Sequence, residues 1–115
     1  MELPEDIFVS ECVFDVLPSI TMAAGRPIHA LVLRSNYGSR FIYVDPDTFT
    51  PSKFIDFIDS IMSNDVAYAT LSRGATLYYE RDRPGIITLI NPLSGQHQDI
   101  PFCKRMLDAL EALIS

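Results

Sequence analysis

Two hydrophobic rhythms run along this chain. Short stretches rich in β-branched and aromatic residues predict strands at Ile7–Leu17, Ile28–Arg34, Arg40–Val44, Val66–Leu71, Thr76–Glu80 and Ile86–Ile90. Two longer stretches repeat their apolar residues at the helical period of about 3.6 positions. In the first, Phe54, Ile55, Phe57, Ile58, Ile61 and Met62 oppose Asp56, Asp59, Ser60 and Ser63. Thr50 is placed to cap it, and Pro51 suits its first position, where a missing N–H costs nothing. The second runs from about Pro101 to Ile114, with Cys103, Met106, Leu107, Leu110, Leu113 and Ile114 inward.

The breaks between these stretches carry turn chemistry. Pro18 is expected to close the first strand, with Thr21–Pro27 as a loop. Ser35-Asn36-Tyr37-Gly38-Ser39 predicts a hairpin, and Asp45-Pro46-Asp47 ends it. Asp82-Arg83-Pro84-Gly85 is a second turn, Asn91-Pro92 a terminator, and Leu93–Gln98 a polar loop. The expected fold is α+β: a single domain over residues 1–115, with an antiparallel sheet of about six strands and two helices on one face, in the order βββαβββα. The halves resemble one another. Leu33-Arg34, Gly38 and Val44-Asp45-Pro46 recur as Tyr79-Glu80, Gly85 and Ile90-Asn91-Pro92, and the helical apolar pattern recurs too. Residues 28–64 and 75–115 are therefore candidate repeat units.

A sheet with one wet face alternates apolar and polar residues. Here both faces carry apolar groups. Phe41 and Tyr43 oppose Ile42 and Val44; Leu77 and Tyr79 oppose Tyr78; Ile87 and Leu89 oppose Ile86 and Ile90. Two helices can cover only one face. A few hundred exposed apolar Å² at about 25 cal/mol per Å² favours a partner or a second layer.

Composition narrows the function classes. The chain has 115 residues, 48% hydrophobic and 21% charged, which excludes disorder, and no apolar run reaches the length of a spanning helix. The net charge is −6, and Glu2, Glu5, Asp6, Glu11 and Asp15 all precede the first base, Arg26. An acidic chain repels phosphate backbones, which argues against nucleic acid as the partner. MELPEDIF lacks the pattern of a secretory signal, and a cytoplasmic setting with reduced thiols is expected. Cys12 and Cys103 have no metal or redox spacing, and Cys103 reads as a buried free thiol.

Candidate chemistry is sparse. His29 lies among apolar neighbours and reads as a hydrogen-bonded core histidine. His97 and Asp99 lack the further ligands of a metal site, and Asp45 and Asp47 read as turn residues. No phosphate loop and no nucleophile–base spacing is present. Neither an enzyme nor a cofactor is expected. Arg34 and Arg40 flank Tyr37, and Arg81 and Arg83 form a second pair. These four are candidate anion-binding residues. Phe41, Tyr43, Tyr78 and Tyr79 on adjoining strands are candidate partner-binding residues. Aromatics beside arginine-bearing hairpins, in repeated sheet–helix units, resemble the architecture of the Pur-type and Whirly-type single-strand binders, which implies single-stranded nucleic acid as an alternative ligand. Small size, acidity, scarce lysine and an over-apolar sheet resemble the type III secretion chaperones, which implies a dimer holding an unfolded segment. The function expected is a small acidic protein-binding module, whether adaptor, chaperone-like or inhibitor and immunity protein, with another protein or its own copy as partner and no membrane.

Overall fold

The computed structural model describes residues 3–115. The elements are a 3-10 turn at Glu5–Ile7, β1 (Asp15–Ala23), β2 (Arg26–Ser35), β3 (Gly38–Val44), α1 (Pro51–Ser63), β4 (Val66–Ser72), β5 (Ala75–Glu80), β6 (Ile86–Ile90), β7 (His97–Pro101) and α2 (Lys104–Ile114). The fold is α+β with two antiparallel sheets. The single six-stranded sheet is corrected to a three-stranded meander, β1-β2-β3, and a four-stranded one, β4-β5-β6-β7.

Three local corrections explain the difference. Residues 7–14 do not form the first strand. It begins at Asp15 and runs through Pro18, which pairs with Leu31. Proline is tolerated there because β1 lies at the edge of its sheet and only one side of its backbone is paired. The expected loop over 21–27 is instead the end of β1, a tight turn and the start of β2. Ala24 and Gly25 both take positive φ, 52° and 77°, the geometry of a two-residue hairpin whose twist matches its strands. Finally, the polar stretch before α2 contains β7, paired with β6 from Ile86↔Pro101 to Ile90↔His97. Only Ile100 of β7 is buried, so apolar alternation could not reveal it.

The first helix forms as its pattern predicts. The Thr50 hydroxyl accepts from the Lys53 amide at 3.3 Å, and Pro51 opens the first turn. Phe57 and Ile61 are fully buried. The helices are exchanged between the sheets. α1 follows the first sheet but packs on β4, while α2 follows the second and packs on β1 and β2. Each half thus covers the other. One cluster results, with Leu31, Ile42, Phe57, Leu77, Tyr79 and Leu110 among its members. The Asp45 amide donates to the Leu71 carbonyl at 2.8 Å, joining the end of β3 to the end of β4.

The N-terminal segment seals one end of this core. Its backbone bonds to Phe102 through Val9 and to Gly85 through Ile7, both at 2.9 Å. Phe8 packs against Phe102, ring centroids 4.9 Å apart. The free-thiol reading of Cys103 is overturned: Cys12 and Cys103 are joined in a disulfide with Cα atoms 5.7 Å apart. No spacing rule pairs residues 91 positions apart; the fold brings them together.

Candidate protein-binding surface

Register determines what each strand shows. In the first sheet Leu17 lies opposite Val32, which lies opposite Phe41; in the next row Ser19, Ala30 and Tyr43 align. These rows form the face away from α2. The inner face carries Val16, Leu31, Leu33, Ile42 and Val44. Ala30 is buried at the centre of the outer rows, but nothing among the described residues covers the rest of them fully. Phe41 is 55% exposed and Tyr43 50%, with Leu17 beside them also exposed and Val32 and Ile28 half-buried. Two of the four aromatic candidates therefore stand side by side on one apolar surface.

The other two do not join them. Tyr79 is corrected from the surface to the core: it is 2% exposed and its ring packs 5.7 Å from Phe102. Tyr78 and Tyr79 are consecutive in β5, so a period of two sends them to opposite faces. Burial raises the Tyr79 phenol pKa above its ordinary value. Tyr78 lies on the outer face of the second sheet. There it pairs with Tyr68, ring centroids 4.8 Å apart. Its hydroxyl donates to the Glu80 carboxylate at 2.7 Å, and that bond to an anion pushes its pKa up to about 12. The rest of this face mixes Thr70, Thr76, Thr88 and Glu80 with Val66, Ile86 and Ile90.

The four candidate arginines separate as well. Arg34 lies 3.7 Å from Asp15 across β1 and β2. Arg81 lies 3.9 Å from Asp65 and donates to the Met62 carbonyl at 3.1 Å. Arg83 donates to Asp99 at 2.6 Å, which raises its own pKa further. Asp99 also accepts from Thr88 at 2.7 Å; these two bonds, Thr88 foremost, hold its carboxyl below the ordinary range. Both Asp99 oxygens are thus engaged by side chains of this chain rather than turned toward a cation with His97. Arg40 differs: among the described residues no carboxylate lies within 4.0 Å of it.

Arg40 lines a groove of about 1180 Å³. One wall is β3 with the adjoining β1–β2 hairpin. The other is the β4–β5 turn with the facing ends of β6 and β7. Arg26, Arg73 and His97 line it with Arg40, and Phe41 and Tyr43 line it too. Pairing these segments from sequence was not possible, because they meet only where the two sheets join. A register for β1–β3 would have placed Leu17 and Val32 beside Phe41. Asp45, also in the groove, turns its carboxylate into its own loop, accepting from the Asp47 amide at 3.0 Å and the Thr48 hydroxyl at 3.1 Å. This is the turn role expected of it.

His29 takes the expected structural role, with Nδ1 3.0 Å from the Leu113 carbonyl. Among the described residues, no helix is long and apolar enough to cross a membrane. Compared with known protein families, curated proteins and solved structures, the chain matches none.

Proposed function

We propose that this chain is a small protein-binding module rather than an enzyme, acting through the outer apolar face of its three-stranded sheet. The observation that carries this reading is the row Leu17–Val32–Phe41 with Tyr43 beside it, apolar across all three strands and only partly covered. At about 25 cal/mol per Å², covering a few hundred Å² of such surface contributes several kcal/mol to association. Aromatic side chains add area at little entropic cost, which is why they anchor interfaces. The occupant is another protein or a second copy of the chain, as an adaptor, a chaperone-like holder or an inhibitor would engage. A cytoplasmic setting belongs to this reading only for the reduced form of the Cys12–Cys103 pair, since disulfides persist mainly in oxidising compartments.

Light scattering on the purified protein, alone and with any co-purifying chain, tests this. The expected result is a complex, either a dimer or a one-to-one assembly, that dissociates when Phe41→Asp and Tyr43→Asp are combined. Both positions are exposed, so circular dichroism should be unchanged. A monomer that binds no apolar dye at this face overturns the reading.

A further inference from the structure

We propose that the groove beside β3 takes an extended peptide segment in which acidic residues alternate with apolar ones, laid along β3 as an added strand. This rests on the protein-binding reading above and commits it to a ligand chemistry.

Three independent features converge. The first is the backbone. β3 pairs only with β2, so the other side of Gly38–Val44 has no ladder partner in its sheet. The groove runs along part of that side, bordered by Arg40 through Val44. Unpaired strand edges recruit extended segments because each added residue satisfies backbone donors and acceptors. At about 3.3 Å per residue, the seven-residue strand offers an edge of about 20 Å.

The second is charge. The chain carries −6, yet Arg26, Arg40 and Arg73 all line this groove, Arg40 from the face of β3 opposite Phe41 and Tyr43 and Arg26 from the β1–β2 hairpin. Among the described residues, none of the three has a carboxylate within 4.0 Å, whereas Arg34, Arg81 and Arg83 all do. The carboxylate that also borders the groove, Asp45, is held by its own loop. Guanidinium groups are suited to bidentate capture of carboxylates. A groove of this sign selects against lysine-bearing segments as well as for acidic ones.

The third is the apolar lining. Ile28, Phe41, Tyr43 and Leu89 contribute to the walls. A strand sends alternate side chains to opposite sides. A segment alternating acid and aliphatic residues would therefore place one set on the side of Arg40 and the other against Phe41 and Tyr43, which lie on the opposite face of β3. The volume exceeds that of most small-molecule sites, which run to about 1,000 Å³. Nucleic acid would use the arginines and rings but leave the strand edge unpaired.

The test uses the full chain and fluorescence anisotropy. The probe is a labelled peptide of about eight residues alternating glutamate and valine. Comparison probes are its lysine–valine and serine–valine counterparts, two glutamate–valine versions N-methylated at alternate amides, and an oligothymidylate. The expected result is that the glutamate–valine peptide binds and the lysine–valine peptide does not. Combining Arg40→Glu with Arg73→Glu weakens binding by roughly tenfold or more, and raising salt from about 50 to about 500 mM does likewise. Both arginines are exposed, and unchanged circular dichroism confirms the fold. Of the two N-methylated versions, one methylated at every glutamate amide and one at every valine amide, the one whose methyl groups face β3 fails to bind and the other binds; equal binding by both overturns the added strand. Serine–valine binding that needs Phe41 but ignores the arginine changes overturns the acidic commitment and leaves the protein-binding reading standing. Oligothymidylate binding tighter than any peptide, with the same arginine dependence, overturns it in favour of single strands. Absence of binding by every probe overturns it too; the protein-binding reading then stands or falls on the mass of the complex.

Discussion

Cys12 and Cys103 join the N-terminal segment to the residue immediately before α2, closing a loop across 91 positions of sequence. The segment so tied covers Phe102, Gly85 and the adjoining core through Phe8 and Val9. A cross-link over such a loop restricts the unfolded chain, an effect of about 4.6 kcal/mol in the chain-entropy account. Reduction, or Cys12→Ser, is expected to lower the melting temperature by roughly 15–20 °C. Differential scanning calorimetry with and without a phosphine reductant measures this. Equal melting temperatures would show that the bond does not hold the segment in the native protein.

His29 and Leu113 make a second long-range tie. A carbonyl only accepts, so Nδ1 of His29 carries the proton and donates. The bond satisfies a carbonyl in the last turn of α2, where intrahelical partners run out. It also ties that turn to β2. His29→Ala is expected to cost about 1–2 kcal/mol in urea unfolding, from the lost bond and the lost packing. His29→Asn, with a donor at a similar reach, should recover part of the loss. An alanine variant as stable as the parent would remove this bond from the account of the fold.

What could be read before the structure was known depends on how local the signal is. The first helix was legible because its cap, its Pro51 and its apolar stripe all lie within one contiguous stretch. The apolar character of both sheet faces was legible from consecutive residues such as Phe41-Ile42-Tyr43-Val44. Pro18 misled because a proline in an edge strand and a proline that ends a strand look alike until the neighbour is known. β7 was hidden because its residues are mostly exposed and polar. Residue type alone groups Tyr79 with Tyr78, whereas their adjacency in β5 requires opposite faces. The arginines could be listed but not sorted, since the acids that pair three of them come from other strands and from the α1–β4 connection. That Arg26, Arg40 and Arg73 line one groove depends on the meeting of two sheets, which no short window contains.

Aromatic residues on opposite faces should respond oppositely to truncation. Tyr79 is enclosed by the core, so Tyr79→Ala leaves a cavity and is expected to cost about 3–5 kcal/mol. Phe41→Ala removes a half-exposed ring and should cost under about 1 kcal/mol in the isolated chain. Chemical denaturation of both variants measures the contrast. If Phe41→Ala proved the costlier, the ring would be buried in solution, by a second copy or by a rearranged sheet.

Asp99 makes the acid limb of the stability curve testable. Its carboxylate accepts from Thr88 and Arg83, and these bonds hold its folded pKa below the ordinary value. The unfolded chain therefore takes up a proton at Asp99 at a higher pH than the folded one. Stability from this group is complete above its unfolded value of about 3.9 and is lost as pH falls through the folded pKa. Asp99→Asn removes the titration, and Thr88→Val weakens it by deleting the foremost contributor. Urea unfolding between about pH 6 and pH 3 should show the parent losing more stability toward acid than Asp99→Asn, with Thr88→Val between them. Parallel acid limbs in all three proteins would mean that the Thr88–Asp99–Arg83 contacts do not persist in solution, and that Arg83 is as free as Arg40 to meet an external anion.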